Sequence, residues 1–294
     1  MKTMYLSAQI VLALLISSAF VMGDEPRDQP AKNKSGGTVN NQGQYATVNG
    51  LKMYYEIHGA GKPLVLLHGA FGWATVYPML ARDRQVIAVE LQGHGHTADI
   101  DRPLTFEQMA DDTAALLKHL KIEQADFFGY SMGGNVGLAL AIRHPNLVRK
   151  LAINGSNYGK IEDAYDPATL KQFKSLSSDF APPMLKGPYD KVAPDPKHWS
   201  ELVAKVKKMG LEFQGFTRED MQSIKAHVLV TVGDRDAVRP EHAVDMFRLI
   251  PNAQLAVFPG ADHFLLWQSP QKMLPQIAAF LDSPMPEPKK REGQ

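Results

Sequence analysis

Apolar and polar positions along the chain follow two alternating rhythms. The segments "PLVLLHG", "QVIAVEL", "ADFFGYS", "VRKLAING", "HVLVTVGD" and "AQLAVFPG" are short apolar runs, several continuous enough to be covered on both faces, and they predict strands. Between them, "TFEQMADDTAALLKHLK", "GGNVGLALAIRHP", "EHAVDMFRLIP" and "PQKMLPQIAAFLD" carry apolar residues at helical spacing. This alternation predicts an α/β fold with a mostly parallel central sheet flanked by helices. Ahead of it, "QYATV" and "LKMYYEIHG" are joined by Asn49-Gly50, a two-residue connection that suits a hairpin, so the sheet is expected to open antiparallel.

One stretch breaks the alternation. Residues 156–222 follow the sixth predicted strand, and their amphipathic patches around "PATLKQFKSL" and "HWSELVAKVKKM" are separated by "APPMLKGPYDKVAPDPK". An insertion this long between neighbouring strands is usually functional. It reads as a small helical cap, leaving residues 44–155 and 223–283 as the core.

The ends differ from the core. "MKTMYLSAQIVLALLISSAFVMG", residues 1–23, has a lysine, an apolar run and then small residues, the layout of a cleaved secretory signal peptide. Residues 24–43 are polar and aperiodic, as expected of a flexible linker, and residues 284–294 read as a disordered tail. The chain has no cysteine, which excludes disulfides, thiolate metal sites and a cysteine nucleophile. Export without cysteine points to a periplasmic or secreted protein. Thirty-two Lys and Arg against thirty-one Asp and Glu give no bulk charge to attract nucleic acid or an anionic membrane. A small molecule is the expected partner, with no membrane association once the leader is removed.

"GYSMG", Gly129 to Gly133, places a serine between a predicted strand and a predicted helix, the setting of a nucleophile elbow. Glycine-flanked serines also occur in ordinary turns, so the remaining catalytic groups have to be present elsewhere. Of ten histidines, His263 in "FPGADHF" follows the last strand, where a base is expected from the order serine, acid, histidine. For the acid, "VTVGDRDAV" offers two aspartates. Asp236 is the expected orienting carboxylate and Asp234 the turn residue. "LLHGAFG" can aim backbone N–H groups at a developing oxyanion; the expected donors are Ala70 and Met132, with Phe71 the alternative to Ala70. His68 reads as a brace for that loop.

With "HGAFG", "ELQGHGHT", "GYSMGG", "GDRD" and "GADHF" in this order, the chain resembles the α/β-hydrolase fold superfamily from about Tyr45 to Asp282. The similarity is to members with a helical cap: esterases, carbon–carbon bond hydrolases and cofactor-free haloperoxidase-like enzymes. The resemblance implies that Ser131, Asp236 and His263 are nucleophile, acid and base, and that the cap shapes the pocket. Glu90 stands where such proteins often carry Asp, and His96 where Arg or another polar residue is common.

Hydrolysis of a small or medium carboxylic ester through an acyl-enzyme is the leading expectation, with no cofactor. Perhydrolysis or carbon–carbon bond hydrolysis is the alternative, and a non-catalytic ligand-binding relative ranks below both. His94, His96 and Asp99 are close in sequence, but "HGHTADI" lacks the Asp-His pair a zinc hydrolase would add, so no metal site is expected. Tyr158, Phe173, Phe180, Met184, Tyr189, Trp199, Met209, Phe213 and Phe216 are the cap residues that could line an apolar pocket.

Overall fold

The computed structural model describes residues 43–72 and 77–285. The leader, all but the last residue of the linker and most of the predicted tail lie outside them. The chain opens with β1 (Gln44–Val48) and β2 (Leu51–His58), paired antiparallel with Val48 opposite Leu51. The connection between them works because Asn49 and Gly50 both take positive φ, 49° and 80°, the conformation that a two-residue hairpin turn requires. Then follow β3 (Lys62–Leu67), α1 (Tyr77–Leu80), β4 (Arg84–Val89), α2 (Phe106–His119), β5 (Ala125–Tyr130), α3 (Met132–Arg143) and β6 (Val148–Asn154).

Between β6 and the next strand come five α-helices, α4 (Ile161–Ala164), α5 (Pro167–Lys174), α6 (Pro183–Val192), α7 (Trp199–Glu212) and α8 (Arg218–Ser223), with a short 3-10 turn, Pro196–His198, ahead of α7. The chain then completes β7 (His227–Arg235), α9 (Pro240–Leu249), β8 (Ala253–Asp262), α10 (Leu265–Gln268) and α11 (Pro270–Asp282). Helix α6 occupies the proline-rich stretch that reads in sequence as a separator. Its Pro183 sits at the helix start, where a missing N–H costs nothing, so proline there opens a helix.

Among the described residues the eight strands are ordered β1-β2-β4-β3-β5-β6-β7-β8, antiparallel at β1/β2 and β2/β4 and parallel from β4 to β8. Strand β3 lies between β4 and β5, so the connections leaving β3 and β5 diverge. Such a switch point leaves a crevice at the carboxyl ends of the strands.

Alternation along each strand builds two apolar layers. Val65 and Leu67 of β3 and Phe127 of β5 join the layer under α2, α3 and α9. Leu64, Leu66, Phe128 and Tyr130 join the layer under α1, α10 and α11. All six residues of β5 are buried, as its uninterrupted apolar run requires of a strand covered on both faces.

Lys150 of β6 is wholly buried, and its Nζ donates to Phe280 O at 2.8 Å, Leu281 O at 3.1 Å and Ser283 O at 2.5 Å. It thereby satisfies the Leu281 and Ser283 carbonyls at the end of α11 and shares that of Phe280 with Ser283 Oγ. Replacing it with an apolar side chain orphans the Leu281 and Ser283 carbonyls, a loss of about 1–3 kcal/mol. Lys150→Met is therefore expected to lower the thermal midpoint by about 5 °C, followed by circular dichroism; an unchanged midpoint would contradict this role.

Candidate active site

Strand β5 runs into α3 through Ser131, whose φ of 52° and ψ of −120° are unusual for a residue with a side chain. Space explains the flanking glycines. A Cβ on Gly129 would lie 2.4 Å from Gly133 O, and one on Gly133 would lie 1.9 Å from Leu67 O. With no side chain in the way, α3 starts directly against the ends of β3 and β5. The Ser131 carbonyl accepts from Gly134 N–H at 2.8 Å and Asn135 N–H at 3.3 Å, and the hydroxyl is turned out at the head of the helix.

The three side chains singled out in the sequence come together here. His263 Nε2 is 2.9 Å from Ser131 Oγ, and His263 Nδ1 is 2.6 Å from Asp236 Oδ1. A carboxylate can only accept, so Nδ1–H donates to Asp236 and Nε2 is left to accept the Ser131 proton. The Asp236 side chain is fully buried, and its Oδ1 also accepts from Val238 N–H at 3.1 Å. Asp234, by contrast, is exposed at the end of β7.

Burial disfavours a charged imidazole at His263, but the Asp236 charge and hydrogen bond outweigh it and hold the pKa above the ordinary 6.5. A residue that sequence reasoning did not single out, Tyr130, steadies the same histidine: its hydroxyl donates to the His263 carbonyl and its ring packs against the imidazole. Burial, then the Asp236 and Asp262 charges, push the Tyr130 pKa well up, so it stays a donor. Its signal was its place beside the serine inside an apolar strand, where a buried hydroxyl needs a partner.

Ala70, Phe71 and Met132 line the same cavity as Ser131. Met132 opens α3, so its N–H has no acceptor within the helix. Ala70 and Phe71 sit in a tight turn closed by Gly72 N–H to Gly69 O at 3.2 Å. His68 braces that turn: its Nδ1–H donates to Gly69 O at 2.8 Å and its Nε2 accepts Leu91 N–H at 2.9 Å. Burial, with the neighbouring His94 charge, lowers its pKa to about 3, so it stays neutral.

The residues of the metal motif turn to separate partners. His94 Nδ1 donates to Gln92 O at 2.9 Å, and His96 stands against Glu90 at 3.1 Å. The two departures from the family pattern, Glu90 and His96, are thus each other's partners. Asp99 Oδ2 accepts from His198 at 2.9 Å and Lys205 at 2.5 Å, clamping the helical insertion to the loop after β4. No group of three or more His, Asp or Glu placed to hold a metal ion occurs among the described residues.

Over Ser131 lies a cavity of about 250 Å³, roofed by the helices between β6 and β7. Phe173, Phe180, Met209 and Phe213 line it, as do Leu185, Val206 and Trp267, which sequence reasoning left out. The other cap residues considered are placed elsewhere. Trp199 is 2% exposed and spends its indole N–H on Phe180 O at 2.8 Å, while Tyr158 stacks on His242. Among the described lining residues there is no Lys, Arg, Asp or Glu.

If His263 has to be neutral to accept a proton, activity is lost as pH falls through its raised pKa. The acidic limb of kcat/KM is expected above 6.5, and Asp236→Asn, which removes the two raising influences of Asp236 and leaves burial against the weaker Asp262 charge, is expected to move it down while cutting kcat by about 10⁴. A limb that stays put in Asp236→Asn would contradict the pairing.

Comparison with known proteins agrees with this architecture. The profile of the Alpha/beta hydrolase family matches residues 64–276. The chain is 31% identical over 263 residues to the dihydrolipoyllysine-residue acetyltransferase component of the acetoin cleaving system of Pseudomonas putida, covering 81% of this chain and 69% of that protein. It is 27% identical over 278 residues to a 2-hydroxy-6-oxo-2,4-heptadienoate hydrolase of Pseudomonas putida, covering 81% and 96%. The structure of an enol-lactonase from Burkholderia xenovorans LB400 superposes with a TM-score of 0.65 at 25% identity, over 82% of this chain and 100% of the other. With its profile matched over most of its length and its sheet ordered as described, the chain belongs to the alpha/beta hydrolase family.

Proposed function

We propose that the protein is a serine hydrolase that cleaves a small or medium carboxylic ester through an acyl-enzyme, with Ser131, His263 and Asp236 as nucleophile, base and acid. The observation that carries this reading is the continuous hydrogen-bonded line from Ser131 Oγ through the His263 ring to Asp236 Oδ1, at 2.9 and 2.6 Å. Ser131 Oγ attacks the acyl carbon as His263 Nε2 takes its proton, and the buried carboxylate stabilises the imidazolium. The carbonyl oxygen, now negative, faces the backbone N–H groups of Ala70 and Met132, each such donor contributing about 3–4 kcal/mol. His263 then protonates the departing alkoxide. A water that gives its proton to the same nitrogen attacks the acyl carbon, and Ser131 leaves with that proton.

The cavity supports the choice of substrate. Its 250 Å³ falls below the roughly 300–1,000 Å³ usual for drug-sized ligands, in keeping with a modest acyl group. Carbon–carbon bond hydrolysis is the second reading, favoured by the heptadienoate hydrolase relative. An ester ranks first because a dienoate carries a carboxylate, and no Lys or Arg is present among the described lining residues to meet it. Perhydrolysis would use the same three side chains with peroxide in place of water. The leader-like residues 1–23 support a periplasmic or secreted setting.

A fluorophosphonate probe is expected to label Ser131 stoichiometrically, read by mass spectrometry of the digested protein. In parallel, p-nitrophenyl acyl esters are expected to be cleaved with a preference for short and medium chains. Folded protein that neither takes the probe nor cleaves any ester, while turning over a dienoate, would overturn the ester reading in favour of the second.

A further inference from the structure

Most polar side chains facing the cavity are committed to partners. Ser131 and His263 face each other. Asn135 Nδ2 donates to Asn157 O at 2.6 Å, and Asn157 Nδ2 donates to Gly159 O at 2.6 Å. Thr169 is held by the carboxylate of Asp166, the residue that caps α5. The Tyr165 hydroxyl and the Gln172 side-chain amide differ from these: both residues line the cavity, and neither group has a hydrogen-bond partner among the described residues.

Tyr165 is held firmly in place. Its backbone bridges to Val238 in the loop that carries Asp236, Asp166 N–H donates to Ala237 O at 3.4 Å, and Arg239 N–H donates to Ala164 O at 2.9 Å. Its ring meets Phe173 edge to face, and Phe173 follows Gln172 on α5. Burial, then the Asp236 charge, push the Tyr165 pKa up to about 12, so the hydroxyl keeps its proton. A fixed donor with no partner in an apolar chamber is costly to cover with hydrocarbon, because desolvating it returns nothing.

We propose that Tyr165 and Gln172 form a polar subsite that recognises a neutral oxygen, a ketone or hydroxyl, carried by the substrate beyond its ester carbonyl. The inference rests on the ester-hydrolase reading and narrows it to oxygenated acyl esters. The oxygen is neutral because the described lining residues offer no cation to a carboxylate, and the buried Asp236 lies behind Tyr165. Sites built to hydrogen-bond a substrate group discriminate strongly against the analogue that lacks it, whereas a purely apolar chamber discriminates weakly.

The test compares matched chromogenic esters: p-nitrophenyl pentanoate with its 4-oxo analogue, and hexanoate with its 4-oxo and 5-oxo analogues. Wild-type enzyme is expected to favour at least one oxo ester by about tenfold or more in kcat/KM. Tyr165→Phe and Gln172→Leu, each checked for folding by circular dichroism, are expected to bring that ratio toward one. Ratios near one for every pair in wild type, or a preference that survives both substitutions, would overturn the subsite while leaving ester hydrolysis standing. Failure of folded wild type to cleave either ester of every pair would remove the ester reading and the subsite with it.

Discussion

The site depends on one backbone constraint, the turn at Ser131. A residue with φ of 52° and ψ of −120° costs about 1–3 kcal/mol relative to relaxed backbone, and it persists because the surrounding structure allows no alternative. Strand β5 is buried on both faces and cannot slide. Helix α3 begins against the carbonyl end of β3 because Gly129 and Gly133 leave no side chain between them. The chain between these two fixed elements has one path, and it turns the hydroxyl out at the head of a helix, where the dipole and free N–H groups favour negative charge.

Other contacts preserve that geometry. The β3 loop faces Ser131 because His68, kept neutral by burial, ties its turn to the start of the loop after β4. The His263 loop is held from below by Tyr130, the residue before Ser131, so one strand end fixes both partners of the 2.9 Å contact. Asp99 clamps the roof through His198 and Lys205. These polar anchors surround the cavity, and the Ala70, Phe173 and Phe213 side chains within it are apolar.

The sheet was legible because strands buried on both faces read as uninterrupted apolar runs, as "ADFFGY" does, and because Asn49-Gly50 dictates its own turn. Ser131, Asp236 and His263 were legible for a related reason: each sits at the carboxyl end of a strand, a place that strand prediction locates directly. The roof was not. Helix α6 hid behind prolines that ordinarily mark breaks. Whether an aromatic on a short amphipathic helix meets the cavity or the core depends on how that helix lies, which spacing alone does not encode. Phe213 and Trp199, at opposite ends of α7, went opposite ways. Tyr165 and Gln172 had no pattern at all, since a free hydroxyl is recognised only when its neighbours are known. The partner of His198 was hidden too, Asp99 being far from it along the chain.

The central claim is that this constrained serine is the group that takes the acyl chain. The most direct measurement is the turnover of Ser131→Ala on p-nitrophenyl butanoate, with the fold verified by circular dichroism and the intact wild-type mass recorded during turnover. Loss of the Ser131 hydroxyl is expected to lower kcat by at least ~10⁴-fold, with a butanoyl adduct appearing on wild type and absent from the variant. A folded variant that keeps more than about a tenth of the wild-type rate, a loss of under ~1.4 kcal/mol in the barrier, would contradict the account.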